Sequence, residues 1–383
     1  MRCRRSRRGA RGPRGGRSSA EKQVGAHRIY PLAGRPVGGA ARKPDSLAPR
    51  PQGGKRALAV AVLTSSPFLA GCAGIQSALD PAGVEADAVA ALFWVMVAGA
   101  AVIWLAVMGV LYYATRRDRV VHSETFAGRV ILWAGAILPT LILTALLAYG
   151  LSMMPRLRPW DARAAEDAPL RIEVVGEQFW WRVTYHRDGM EPVVSANEIR
   201  MPVGERVTFT LRSADVIHAF WIPSLGGKMD MIPGRENTLT LEATKAGIYR
   251  GPCAEFCGSS HALMALAAVV METGAFDEWL ARQAEPSPGV GENEAGRAAF
   301  LANGCGACHA VAGTEANGTI GPDLSHLGSR VTLGAGIVEN SKAGIGRFIA
   351  ETDHVKPGVR MPAYRALPDE EIDAIAGWLK GLE

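Results

Sequence analysis

Two long runs without a charged residue constrain the fold of this chain more than any other feature. They are Ala88–Ala114 and Val130–Met154, and Pro139 in the second run predicts a kink. Because a helix rises about 1.5 Å per residue, each run can cross a bilayer core of about 30 Å. A buried core helix is the alternative, which two successive runs disfavour. The sequence therefore predicts a two-helix transmembrane hairpin over residues 80–158.

Basic residues around the hairpin predict its orientation. Four arginines follow the first run or lie between the runs: Arg116, Arg117, Arg119 and Arg129. Short loops rich in Lys and Arg stay on the cytoplasmic side of a membrane. We therefore expect a multi-pass protein of a bacterial inner membrane, with the remainder of the chain on the periplasmic side.

The first 72 residues have the pattern of a targeting segment. Residues 1–56 hold 16 basic and 2 acidic residues without an apolar period, which predicts a disordered leader absent from the mature protein. Residues 57–72 are apolar and end in Leu69-Ala-Gly-Cys72, which predicts a signal peptide, a lipobox and lipidation of Cys72. An unmodified Cys72 and nucleic-acid binding by the basic start are the alternatives. Removal of the leader predicts no nucleic-acid partner.

The chain after the hairpin divides into an alternating part and a helical part. Over residues 165–280, short apolar–polar alternations such as Arg206-Val-Thr-Phe-Thr-Leu211 lie between turns and predict a β-sandwich or barrel. Residues 283–291 contain two Pro and two Gly and predict a linker. Residues 292–383 have a helical pattern, and the last helix begins with acidic residues and ends near Lys380.

One short loop gathers soft metal ligands. It contains Cys253, Cys257, His261 and Met264, and His218 precedes it in the chain. Thiolate, thioether and imidazole ligands favour copper. A disulfide and a tetrahedral zinc site are the alternatives, and the thioether of Met264 disfavours zinc.

A second motif, Cys305-Gly-Ala-Cys308-His309, predicts covalent attachment of a c-type haem. The two thiols bind the haem vinyl groups, and His309 becomes an axial iron ligand. Met361, in a downstream loop bounded by prolines, is the preferred second axial ligand, and His326 and His354 are its rivals. Methionine–histidine ligation raises the haem potential.

The motifs together resemble subunit II of the haem-copper cytochrome c oxidases over residues 80–275 and a cytochrome c over residues 292–383. The resemblance rests on Cys-x-Glu-x-Cys-Gly-x-x-His-x-x-Met, on Asp-x-x-His-x-Phe-Trp-x-Pro and on Lys228–Arg235. It implies a multidomain membrane protein: a two-helix transmembrane hairpin, an all-β cupredoxin (Greek-key) domain over residues 165–280, and an all-α class I cytochrome c domain over residues 292–383.

The resemblance also implies ligands and partners. A binuclear copper centre, CuA, would be bridged by both cysteines and completed by the two histidines, Met264 and the backbone carbonyl of Glu255. The Glu255 side chain would bind Mg²⁺ at the interface with subunit I. Electrons would pass from haem c to CuA and on to subunit I, which reduces oxygen to water with proton translocation. Subunits I and III are the expected partners, and a soluble cytochrome c or a bc1-type complex is the expected donor.

The chain departs from the family's residue pattern at two positions, and two alternative functions stay open. The resemblance places the arrival of electrons at Trp180 and Trp181, but Phe179 stands where the family commonly has Trp, and Trp181 is equally suited to the core. Leu132 stands where many relatives carry a glutamate before the proline of the second span. The CuA subunit of a nitric oxide reductase and a membrane-anchored electron shuttle are the alternative functions.

Overall fold

The computed structural model describes residues 73–116, 123–154 and 169–383. The predicted leader, the signal segment and Cys72 lie outside these described residues. Within them the chain forms two long apolar helices, a pair of packed β-sheets and a helical C-terminal region. This confirms the predicted fold class.

The two long helices are α1, Val84–Arg116, and α2, Glu124–Met153. Both are long and apolar enough to span a membrane, and no residue is buried within the most apolar stretch of either helix. Within α2, the segment Ile131–Ile137 is π-helical. It ends just before Pro139, which lacks a backbone donor, so an irregular turn is expected there.

The β-domain is a sandwich of two sheets with one shared core. Its strands are β1 Leu170–Glu177, β2 Trp180–Arg187, β3 Val193–Ala196, β4 Glu198–Pro202, β5 Arg206–Ser213, β6 His218–Phe220, β7 Met229–Met231, β8 Asn237–Glu242, β9 Gly247–Pro252 and β10 Ala265–Met271. The first sheet has the strand order β3-β2-β1-β5-β8, the second has the order β4-β10-β9, and β6 pairs with β7 in a hairpin. Alternate residues of β1 point inward, since Leu170, Ile172 and Val174 are fully buried.

The C-terminal region packs helices around a second core. Phe300 and Trp378 are both buried there, with ring centroids 5.1 Å apart. The last helix begins with three acidic residues and has Lys380 in its last turn, as predicted. The elements are α3 Thr273–Gln283, α4 Glu294–Ala302, the strand pair β11 Thr332–Leu333 and β12 Val338–Glu339, α5 Lys342–Ala350, α6 Thr352–Val355 and α7 Asp369–Gly381.

The start of α1 is attached directly to the sandwich. The backbone N–H of Ala82 donates to the carbonyl of Ser224 at 2.7 Å, and that of Thr244 donates to the carbonyl of Ala82 at 2.7 Å. The buried Glu85 forms an ion pair with Arg206 at 3.6 Å. The helix therefore continues out of the sandwich without a free linker.

The helical region rests on the sandwich through side chains of β4. Glu198 accepts a hydrogen bond from the backbone N–H of Val331 at 2.7 Å. Arg200 pairs with Glu198 at 2.8 Å and donates to the carbonyl of Ser329 at 3.0 Å. These contacts bring the two predicted metal sites to the same side of the sandwich.

Candidate metal centres

The predicted copper ligands converge at one end of the sandwich. Cys253 and Cys257 lie in the loop between β9 and β10, and Met264 ends that loop. His218 is the first residue of β6 and is fully buried against the indole of Trp181, with ring centroids 6.0 Å apart. The short loop thus reaches a histidine that is fixed by the sandwich core.

The two thiols stand close together without bonding. Their Sγ atoms are 3.9 Å apart, and both cysteines are free. A disulfide requires about 2.05 Å. Two sulfurs that share an ion at about 2.3 Å each can lie up to about 4.6 Å apart, so the observed spacing suits sulfurs bridging metal ions.

The other donors divide between the two sulfurs. His218 Nδ1 lies 3.8 Å from Cys253 Sγ, and the carbonyl oxygen of Glu255 lies 3.3 Å from the same sulfur. His261 Nδ1 and Met264 Sδ lie 3.6 Å and 3.8 Å from Cys257 Sγ. Six donors in two groups exceed the four ligands of a structural zinc ion and fit two soft ions that share both thiolates.

The pKa values of the two thiols favour the binding of a metal cation. The hydrogen bond to Cys257, together with that to His218, lowers the pKa of Cys253 far below that of an ordinary thiol. The same contact raises the pKa of Cys257, because a second negative charge beside the first is costly. The pair therefore loses one proton readily and the second only when a metal cation replaces it.

Two neighbours fix the orientation of His218. Burial alone would lower the pKa of His218, but hydrogen bonds to Cys253 and Asp215 raise it above the ordinary value. A Cβ added to Gly176 would lie 2.8 Å from His218 Cδ2. The ring therefore rests against a glycine that leaves no room for a side chain.

The predicted haem ligands surround one cavity. Cys305, Cys308, His309 and Met361 all line it. Both thiols are free, and Cys308 is exposed. A largely apolar cavity with two thiols and two axial donors in its wall fits a covalently attached macrocycle.

The imidazole of His309 is held for iron binding. Its Nδ1 donates to the carbonyl of Pro322 at 2.7 Å, which leaves Nε2 for a metal. Burial lowers the pKa of His309, so the ring stays neutral as an iron ligand requires. A Cβ on Gly321 would lie 2.6 Å from His309 Cε1, so this ring too lies against a glycine.

The rival axial ligands lie elsewhere. His326 is buried and its Nε2 contacts the carbonyl of Glu285 at 2.9 Å, whereas His354 is exposed on α6. Neither is among the residues that line the haem cavity. The geometry therefore favours Met361.

The sandwich supplies one wall of the haem cavity. Gln178, Phe179 and Trp180 line it together with the haem motif. Trp180 is half-buried, with the guanidinium of Arg182 at 4.7 Å from its ring centroid, and Trp181 is fully buried in the sandwich core. Of the two predicted sites of electron arrival, Trp180 is the one that faces the haem site.

Two buried cations of the cavity went unnoticed in the sequence. Arg330 and Lys356 line it, with exposed fractions of 8% and 2%. Arg330 donates to the carbonyl of Asp323. Nothing in the local pattern around either residue distinguishes it from a surface cation, because its burial depends on how the two domains meet.

The predicted Mg²⁺ ligand has a cation beside it already. The Glu255 carboxylate lies 3.9 Å from Lys228 Nζ, and Asp230 pairs with the same ammonium at 2.6 Å. Binding of Mg²⁺ at Glu255 would displace this lysine and would require ligands from another chain. It stays a prediction.

The fold and the two sites together define a class: membrane-anchored, multidomain electron-transfer proteins with a cupredoxin-like and a cytochrome c domain. A family model described as cytochrome c oxidase subunit II, periplasmic domain, matches residues 186–272, and a cytochrome c model matches residues 293–383. These matches support copper binding by the first domain and haem binding by the second.

Curated relatives narrow the class to a family. Cytochrome c oxidase subunit 2 of Alkalihalophilus pseudofirmus is 32% identical, and the match covers 82% of this chain and 94% of the relative. That of Bacillus subtilis is 33% identical over 58% of this chain and 64% of the relative. The chain belongs to the cytochrome c oxidase subunit 2 family and is thus a subunit of a haem-copper terminal oxidase.

One solved structure is similar to part of this chain. The periplasmic domain of subunit II of cytochrome oxidase from Bradyrhizobium japonicum is 35% identical. That match covers 30% of this chain and 94% of the solved chain, with a TM-score of 0.29. The family assignment rests on the sequence relatives alone.

Proposed function

We propose that this subunit receives electrons on a haem c and passes them through CuA to subunit I, where oxygen is reduced to water with proton translocation. When bound, the two groups supply reversible one-electron redox chemistry. The chain would hold haem through Cys305, Cys308, His309 and Met361. It would hold copper through the two thiolates of residues 253–264, here called the copper loop, and the four donors grouped around them.

One residue carries this proposal, because it touches both sites. Gln178 lines the haem cavity, and its Nε2 donates to the carbonyl of the copper ligand Cys257 at 2.5 Å. A few covalent bonds and one hydrogen bond therefore join the wall of one site to a ligand of the other. Such closeness suits transfer within the chain rather than delivery by a separate protein.

The surroundings of the copper site and of the haem site support fast electron transfer. Both copper-site thiols and His218 are buried, so the protein fixes their positions before any change of charge. The imidazoles of His218 and His309 are held by the hydrogen bonds that they donate to the Asp215 carboxylate and to the Pro322 carbonyl. A site whose ligands cannot move needs little rearrangement when an electron arrives or leaves.

An apolar rim beside the copper loop supports docking on a membrane partner. Phe256, between the two cysteines, is 74% exposed, and Val216 and Ile217 are exposed just before His218. Exposed apolar groups gathered at a functional site are typical of an interface. We assign this rim to subunit I and expect subunit III in the same complex.

The orientation and the donor complete the proposal. The two spanning helices would place both domains on the periplasmic side of the inner membrane. A soluble cytochrome c or a bc1-type complex would then reduce the haem first, because the sandwich residues near Trp180 already face the haem cavity.

The test is to purify the subunit from membranes with its partners. We expect one haem and two coppers in this chain, co-purification with a haem-containing subunit I, and oxygen uptake with reduced cytochrome c. Cys257→Ser removes one bridging thiolate and should abolish copper binding and oxygen uptake. The matched change Cys308→Ser should leave copper binding intact.

Other results would replace the proposal. Reduction of nitric oxide but not oxygen would favour the nitric oxide reductase alternative. Isolation without any membrane partner would favour the shuttle. Full oxygen uptake by a copper-free Cys257→Ser variant would contradict the copper route altogether.

A further inference from the structure

A buried ammonium lies where the two domains meet. Lys356 is 2% exposed and lines the haem cavity. Its Nζ donates to the carbonyl of Gly334 at 2.5 Å, the one hydrogen-bond acceptor found for it in the described part of the chain. A lysine ammonium has three donors, so this one is only partly satisfied by protein.

Lys356 joins the two segments of the haem domain that rest on the copper loop. The first follows Gly334: the carbonyl of Ala335 accepts a hydrogen bond of 2.9 Å from the backbone N–H of Ala265. The second follows Lys356 itself: the carbonyl of Pro357 accepts a hydrogen bond of 2.5 Å from Ser260 Oγ. Ala265 and Ser260 are each adjacent in sequence to a predicted copper ligand.

Packing does not account for a charge at this position. An ammonium buried with one acceptor is costly, whereas a methionine of similar length would fill the same space without that cost. Burial lowers the pKa of Lys356 to about 7, and its electrostatic interaction with Cys257 partly opposes that shift. The ammonium therefore interacts electrostatically with the copper site as well as lining the haem cavity.

We propose that Lys356 is a positioning residue shared by the two metal centres: it fixes the haem domain on the copper loop, and its positive charge raises the reduction potentials of both. The inference rests on the proposed function, since it requires haem and copper at these sites. A positive charge stabilises the reduced form of a neighbouring redox centre, because that form carries one more electron. Across a protein interior, such an interaction changes the equilibrium constant for reduction by a factor on the order of ten.

The experiment uses the full chain with haem and copper bound. Metal and haem contents are measured first, and the midpoint potentials of both centres are then measured by optical titration at about pH 6. In Lys356→Met we expect both potentials to fall, each by an amount corresponding to about tenfold, or about 59 mV for one electron. Lys356→Arg keeps the charge and should restore both potentials towards the wild-type values.

Two variants serve as controls. Lys342→Met removes an exposed cation that pairs with Asp373 in the same domain, and it should leave both potentials unchanged. Ser260→Ala removes one domain contact but keeps the ammonium, so it should change the potentials less than Lys356→Met does.

The other possible results decide whether Lys356 acts on both centres. Unchanged midpoint potentials in a Lys356→Met protein that holds haem and copper overturn the inference. A lower potential of the haem alone would make Lys356 a residue of the haem site only. If Lys356→Met takes up no haem, Lys356→Gln replaces it. If neither neutral variant is loaded, Lys356→Arg must restore loading, or the charge is not what the site requires. A wild-type chain without copper or haem would instead contradict the proposed function.

Discussion

A carboxylate oxygen of Asp215 lies 2.8 Å from His218 Nε2, and the same histidine presents Nδ1 towards Cys253. The carboxylate also accepts hydrogen bonds from the backbone N–H groups of Gln178 and Val216, both at 2.7 Å. Burial opposes ionisation of Asp215, but these hydrogen bonds, with that from His218, lower its pKa. An ionised carboxylate thus fixes the ring so that Nδ1 is left for metal.

Asp215→Asn should weaken copper binding while leaving the fold intact. Partners of metal-binding histidines typically contribute about 10–100-fold to affinity, so we expect a loss in that range. Competition with a copper chelator measures it, and the haem content should not change. Asp188→Asn, in an exposed turn before Gly189 where Asn is equally suitable, is the matched control. Equal copper affinity in Asp215→Asn and wild type would contradict the assigned role.

Gly321→Ala should disturb the axial histidine of the haem site. The added Cβ would lie 2.6 Å from His309 Cε1, so the ring must move away from its place against Pro322. We expect haem to stay attached through the two thiols, with a change in its absorbance and a lower potential. Gly291→Ala meets no heavy atom within 4 Å and is the control. An unaltered haem spectrum in Gly321→Ala would show that the ring tolerates the contact.

Met361→Ala should remove one axial ligand without detaching the haem. Because Met/His ligation raises the haem potential, we expect a lower potential and a shifted visible spectrum. Optical titration of the purified subunit measures both. His326→Ala and His354→Ala should leave the spectrum unchanged, since neither histidine lines the cavity. A spectral change in either histidine variant that matches that of Met361→Ala would reassign the ligand.

Lys356 should make the haem domain more stable as the pH rises above neutrality. Burial lowers its pKa to about 7 in the folded protein, whereas an unfolded lysine titrates near 10.4. Between these values the unfolded chain binds a proton that the folded protein has released, so the free energy of unfolding rises by up to about 1.4 kcal/mol per pH unit. Below about pH 7 both states hold the proton, and this contribution is constant.

Thermal unfolding followed by haem absorbance at about pH 7 and about pH 9 checks this expectation. The wild type should gain stability relative to Lys356→Met between the two values. A constant difference between the two proteins would mean that Lys356 stays charged in the folded state.

Local chemistry made most of the site predictable. The predicted haem motif of Cys305, Cys308 and His309 has the spacing that haem attachment requires, and all but one of the predicted copper ligands lie within the twelve residues of the copper loop. The alternation of β1 and the length of α1 follow from side-chain periodicity, although α1 starts earlier than its uncharged run. Acidic residues such as Glu85 are favourable in a first helical turn, so charge does not mark the boundary there.

Contacts between distant segments could not be predicted in this way. Trp180 faces the haem cavity, and Lys356 is buried, only because the helical region rests on the sandwich. Gly176 is close to the aromatic segment in sequence, yet its close approach to His218 depends on how β1 and β6 come together in the fold. Such features require knowledge of which surfaces meet, and no periodicity encodes that.

The direct attachment of α1 to the sandwich has a mechanical consequence. At about 1.5 Å per residue, its 33 residues extend about 50 Å, well beyond a bilayer core of about 30 Å. Because no flexible linker precedes it, the helix is a rigid connection. It fixes both the height and the rotation of the copper loop above the lipid. One inserted residue would lift that loop by about 1.5 Å and turn it by about 100°. The alignment with a membrane partner therefore depends on the length of a helix that supplies no ligand to either centre.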